Sequence, residues 1–198
     1  MSHKKGFTLI ELIIVIALIA LLATTVILVI NPVKIFKEAR DSQRIADLGQ
    51  MNSAMSLLLA TDSVTFQNSD LGLCSTKCYA HGVTGAMNNG CGRYSGALAP
   101  VTSTSQVVDG NGWIPVKLTN AANGAPISAW PIDPKPVNTG VTTTSYFYSY
   151  ACDTSDKWEF TAHMESTRYA SSGTDDVEST DGGNLTGLFE VGTGTSSL

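Results

Sequence analysis

Charge is scarce in this chain. Asp, Glu, Lys and Arg make up 15% of its 198 residues, against about 25% in average soluble proteins. That shortage excludes a charge-laced coiled coil and a chain kept unfolded by its own net charge. No basic run, G-x-S-x-G, H-E-x-x-H or glycine-rich phosphate loop occurs. No Ser-His-Asp or Cys-His order with a supporting motif appears either. The chain is therefore read as non-enzymatic. Residues 51–198 hold six Lys/Arg and thirteen Asp/Glu, a net of −7. Such a body has no electrostatic footprint for nucleic acid, and direct nucleic-acid binding is not expected. The room left by charge is filled with Ser, Thr, Gly and Asn. At roughly 150 residues per domain, the length allows one globular domain and an appendage.

What is abundant lies in one place. Residues 7–30 (FTLIELIIVIALIALLATTVILVI) are apolar, with one charge, Glu11. As a helix they reach about 36 Å, enough to cross a hydrocarbon core of about 30 Å. A secretory signal has a shorter core and small residues at its cleavage site. Here the run ends at Asn31-Pro32 instead, so the segment is expected to stay with the protein. Lys4 and Lys5 precede it, which leaves the N-terminus cytoplasmic and residues 33–198 outside.

Glu11 is costly there. A carboxylate deep in a membrane helix costs on the order of 2.5–3.5 kcal/mol. No cationic side chain follows it before Lys34. An α-amino group, with a pKa of about 8, would serve as partner. A cut between Gly6 and Phe7 would expose one on Phe7. Within one helix that amine lies about 6 Å along the axis, and in a staggered bundle the amine of a neighbouring copy comes closer. Ala17, Ala20 and Ala23 recur every third residue and mark a face where helices can approach closely.

The string Lys4-Lys5-Gly6-Phe7-Thr8-Leu9-Ile10-Glu11, followed by an apolar run, resembles the class III leader of type IV pilins and pseudopilins. The resemblance covers about the first 60 residues. It implies that a prepilin peptidase cuts after Gly6 and methylates Phe7, with Glu11 at the family's glutamate position. It also implies a homo-oligomeric helical filament, an inner-membrane assembly platform, and a single-pass membrane precursor that ends on the cell surface. A pseudopilin or minor pilin of a type II secretion or DNA-uptake machine is the alternative. A membrane-anchored binding module with a pilin-like anchor is a third reading.

Beyond the membrane, 3- and 4-residue steps through Phe36, Ala39, Gln43, Leu48, Met51, Met55, Leu58 and Leu59 predict a continued helix. Lys37, Arg40, Asp41, Arg44 and Asp47 are read as its solvated face. One helix is thus expected from Phe7 to Leu59, kinked or loosened near Pro32. In the resembling family a proline near this position marks a stretch that unwinds in filaments. The division is a leader at 1–6, a membrane or filament-core helix at 7–30, its amphipathic continuation at 31–59 and a head at 60–198.

The expected fold class is α+β: the long helix packed on a small antiparallel sheet with disulfide-bonded loops. Alternation predicts strands at Ser145–Cys152 and Lys157–Glu165, joined as a hairpin through Asp153–Asp156. Trp113–Leu118 is a third candidate, at an edge because of Pro115. Trp130–Pro136 reads as a stiff connection, and residues 166–198 as a surface excursion with one short strand near Gly187–Val191. Cys74, Cys78, Cys91 and Cys152 all fall outside the membrane and are expected as two disulfides, in any of three connectivities. A metal site of Cys74, Cys78, His81 and Cys91 would strand Cys152. His163 is expected to be exposed. Asp175, Asp176, Glu178 and Asp181 read as a solvated acidic tail. Calcium there is the one cofactor entertained, because some pseudopilins of the resembling family bind calcium near the chain end; otherwise no cofactor is expected. Asn184-Leu185-Thr186 fits a glycosylation sequon.

Overall fold

A computed structural model describes residues 6–61, 77–81, 99–135, 145–153 and 157–194. The chain divides into two compact units, Met1–Lys37 and Glu38–Leu198.

The first unit holds helix α1, Leu9–Ile30, and the start of helix α2, Pro32–Thr61. The expected single helix is interrupted at Asn31. That residue takes a left-handed conformation, φ 45° and ψ 80°, and caps the C-terminus of α1. Asparagine tolerates this region better than most residues. Pro32 is then the first residue of α2, where its fixed φ suits a helix start and its missing N–H costs nothing. The proline therefore opens a helix and does not kink one.

In the second unit, α2 carries a buried stripe at Asp41, Arg44, Leu48, Met51, Met55 and Leu58. These follow 3- and 4-residue steps, one face of a helix. Phe36, Ala39 and Gln43, expected on the packing face, are exposed. The stripe runs instead through two charged residues. Leu48, Met51, Met55 and Leu58 join one core with Trp113, Trp130, Tyr148, Tyr150, Trp158 and Phe160. Each aliphatic side chain so buried contributes about 1.5–3 kcal/mol.

The sheet has five strands: β1 Lys77–His81, β2 Ala99–Ser103, β3 Ser149–Cys152, β4 Trp158–Ala162 and β5 Phe189–Gly192. Their order is β2-β1-β3-β4-β5. Pairing is antiparallel except between β1 and β2, which run parallel. The expected hairpin is β3 and β4, with Tyr150 opposite Phe160 and Ser149 opposite Thr161. Both strands are shorter than the alternation suggested. They are buried along their whole length, so the pattern extends past the paired residues. Trp113–Leu118 is no strand: Lys117 makes a lone bridge to Asp109, and Leu118–Asn120 form a 3-10 turn. Trp113 and Ile114 are core side chains on irregular backbone. Gly112 makes that path possible, since a Cβ there would sit 2.1 Å from the Val107 carbonyl oxygen. β5 starts two residues later and ends one residue later than the expected short strand. β1 and β2 had no strand signal in the sequence analysis.

Candidate functional site: the processing and assembly segment

Gly6, Phe7 and Thr8 precede α1 and are exposed. Thr8 sits at φ −80° and ψ 152°, extended, and caps the helix. Its hydroxyl accepts from the Glu11 N–H at 3.3 Å. In return, the Glu11 carboxylate accepts from the Thr8 N–H at 3.0 Å and from its hydroxyl at 2.9 Å. This reciprocal capping box satisfies two helix donors that would otherwise face lipid. Its sequence signature is Thr-x-x-Glu, a capping box that precedes an apolar run. In the uncut chain, then, the carboxylate is held by Thr8. Phe7 is 88% exposed.

From Leu9 to Ile27 the helix is apolar enough to cross a membrane, and none of it is buried in the protein. The two threonines inside α1 hide their polarity. Thr24 Oγ1 donates to the Leu21 carbonyl and Thr25 Oγ1 to the Leu22 carbonyl, each at 2.8 Å. Such back-bonding satisfies a hydroxyl where no water is available. Ala17, Ala20 and Ala23 are exposed. Glu11 is the one charge on a surface otherwise fit for lipid or for other helices.

A family model described as the prokaryotic N-terminal methylation motif matches residues 1–27. The motif is that of class III prepilins, in which a short leader precedes an apolar helix. The match spans 27 of 198 residues and agrees with the type IV pilin and pseudopilin resemblance. Neither a curated protein nor a solved structure matches the chain. A prepilin leader implies processing by prepilin peptidase and entry into pilus-type assembly. With the apolar helix behind it, the leader fits a membrane-anchored precursor.

Behind the leader, the second unit fixes α2 with buried charge. Asp41 and Arg44, read from sequence as solvent-facing, are both 0% exposed. Arg44 donates from Nε and Nη2 to the two oxygens of Asp133, at 2.7 and 2.8 Å, and from Nη1 to Asp41 at 2.7 Å. The Asp41 carboxylate also accepts the Glu165 and Ser166 N–H groups at 2.8 and 2.7 Å. Burial works against the Arg44 charge, but hydrogen bonds and charge from Asp133 and Asp41 more than offset it and raise its pKa. The ring of Tyr146 lies 4.9 Å from the guanidinium carbon. Asp133 belongs to the Trp130–Pro136 connection, whose described part, to Lys135, has no strand. It brings a carboxylate to Arg44. Two further bonds reach α2 from the sheet: Tyr148 donates to Asp47 at 2.8 Å, and Trp158 Nε1 to Asn52 at 3.0 Å.

Glu165 completes the cluster. Arg40 donates to both its oxygens at 2.7 Å, and Lys135 adds a bond at 3.1 Å. The Arg40 hydrogen bonds outweigh burial, with Lys135 assisting, and hold the carboxyl down at about 2, from an ordinary 4.5. A depressed carboxyl stabilises the fold above its unfolded value and loses that contribution as pH falls through the folded one. The full chain in detergent should therefore lose thermal stability between pH 4.5 and about 2. Glu165→Gln should flatten that part of the profile. Equal acid sensitivity in both proteins would disprove the assignment.

The remaining predicted residues are placed as follows. His163 is half-buried, not exposed: Nδ1 lies 2.9 Å from the Glu178 carboxylate, and its ring stacks on Tyr146. β4 ends one residue before it, so strand alternation did not set its environment. The acidic group is a solvated tail only in part: Asp175 is exposed, while Asp176 and Asp181 are partly buried. Glu178 is buried and accepts from the Met164 and Ser171 N–H groups. Asp176 caps Ser172 and Ser179, and Asp181 accepts from Gly183 and Glu190. Asp175 pairs with Arg168 at 2.5 Å. These carboxylates serve separate donors. Among the described residues no three His, Cys, Asp or Glu converge as a metal-ligand set. Cys78 and Cys152 are buried on β1 and β3, and neither is a free thiol. Cys74 and Cys91 lie outside the described residues.

Proposed function

We propose that the chain is a structural subunit of a type IV pilus or pilus-like filament. It enters the membrane through α1, is cut between Gly6 and Phe7, and is methylated on Phe7. The helix then leaves lipid for a bundle of its copies. There Glu11 exchanges Thr8 for the Phe7 amine of a neighbour, and this pairing sets the axial register. Ala17, Ala20 and Ala23 supply a close-packing face. The inner-membrane assembly platform performs the transfer, and two disulfides from the four cysteines brace the exposed head.

One observation carries this reading: the methylation motif at residues 1–27 coincides with a wholly exposed apolar helix bearing a single carboxylate. A membrane anchor alone would use that acid only as half of a helix cap, which an uncharged residue can also supply without the cost of inserting a charge. A pseudopilin or minor pilin of a secretion or DNA-uptake machine uses the same segment, and differs in abundance and polymer length. The deciding experiment is Gly6→Leu. We expect the precursor to accumulate uncut, seen as a slower band and as an N-terminus at Met1. Cleavage at the normal position in Gly6→Leu would overturn the reading.

A further inference from the structure

The polar ends of the span stand at a telling distance. Glu11 and Asn31 are 20 residues apart, about 30 Å along a helix, which is about the thickness of a hydrocarbon core. With Glu11 at one boundary, Asn31 reaches the other. The αL break at Asn31 and the new helix from Pro32 then lie at the level of the outer headgroups. That first part of α2 belongs to the same unit as α1. Its sequence is Val33-Lys34-Ile35-Phe36-Lys37.

At about 100° per residue, Ile35, Phe36 and Val33 share one arc of about 160°, while Lys37 and Lys34 share a separate arc of about 60°. The three apolar side chains are 62%, 49% and 64% exposed for Val33, Ile35 and Phe36. An apolar face beside a cationic edge is the pattern of a segment lying at a lipid surface. Ammonium groups on flexible stems reach phosphates while their methylenes stay in the apolar layer.

We propose that Pro32–Lys37 is an interfacial collar that docks on the lipid headgroup layer of the outer leaflet. Ile35, Phe36 and Val33 sink to the acyl boundary, and Lys34 and Lys37 meet lipid phosphates. The collar fixes how deep the precursor rides before assembly. It rests on the reading of α1 as a membrane span.

The test uses the full chain in lipid nanodiscs, spin-labelled at Phe36→Cys and read by collision with oxygen and with a water-soluble nickel chelate. Thr119→Cys in the head is the aqueous control, and Ile16→Cys the mid-span control. We expect the oxygen-to-nickel ratio at position 36 to exceed that at 119 about threefold or more. A ratio at 36 equal to that at 119, with Ile16→Cys deep in the bilayer, overturns the collar alone. A watery Ile16→Cys overturns the membrane span and the collar with it. Ile35→Cys repeats the measurement if the label at 36 perturbs the helix. In nanodiscs rich in anionic lipid, Lys34→Gln/Lys37→Gln should move the label at 36 outward. No movement there would exclude the phosphate contacts.

Discussion

Replacing Glu11 by alanine or leucine leaves a folded, membrane-inserted chain that yields few or no filaments. Removal of the acid takes away a charge that only costs energy on entering a membrane, so residence in the membrane is kept. The same change removes the group proposed to seek the Phe7 amine, so the bundle loses its axial register. The Thr8–Glu11 capping box goes too, which costs helix stability of about 1 kcal/mol at the N-terminus. Glu11→Gln separates the two effects. Its amide oxygen still accepts from Thr8, but it carries no charge. Filament loss in Glu11→Gln assigns the defect to the ion pair. The readouts are immunoblots of membranes and electron microscopy of sheared surface material. Wild-type polymer yield from Glu11→Leu would remove the register argument.

Arg44→Met should destabilise the second unit by about 3–5 kcal/mol. Methionine keeps the unbranched stem of arginine and ends short of its terminal nitrogens, so only a small cavity adds to the loss. The cause is electrostatic: Asp41 and Asp133, both nearly inaccessible to water, lose the cation between them. Stability of a domain is about 5–15 kcal/mol, so the variant sits near the limit of folding. Arg44→Lys keeps the charge but loses the two-pronged bond to Asp133, and should fall in between. Denaturant unfolding of the full chain in detergent, followed by the fluorescence of buried Trp113, Trp130 and Trp158, measures both. An Arg44→Met midpoint equal to wild type would show that the cluster contributes nothing net.

The apolar helix and the methylation motif of the N-terminal segment were legible because their physics is one-dimensional. Length, apolarity, one acid and a Gly-Phe junction need no tertiary context. Even there the Thr8 cap was overlooked, although Thr-x-x-Glu was in plain view. The lower half of the α2 stripe, Leu48 to Leu58, was also legible, because apolar residues at helical spacing have one sensible destination. Its upper half was misread for the same reason: Asp41 and Arg44 look like surface. Their burial depends on Asp133 and Glu165, 89 and more residues away, and periodicity carries no trace of such partners. The same long range hid β1 and β2, whose pairing is with each other and with β3. Trp113–Leu118 erred the other way, since apolar alternation records burial and not strand pairing.

The charge cluster on α2 has a mechanical side. Arg40, Asp41 and Arg44 grip Asp133, Glu165 and Ser166 through bonds of 2.7 Å. For α2 to move away from Asp133, Glu165 and Ser166, these bonds have to break. Apolar surfaces yield smoothly under traction, whereas a row of ionic links resists until it ruptures as a set. The second unit is thus built to stay seated on its helix when that helix is tugged.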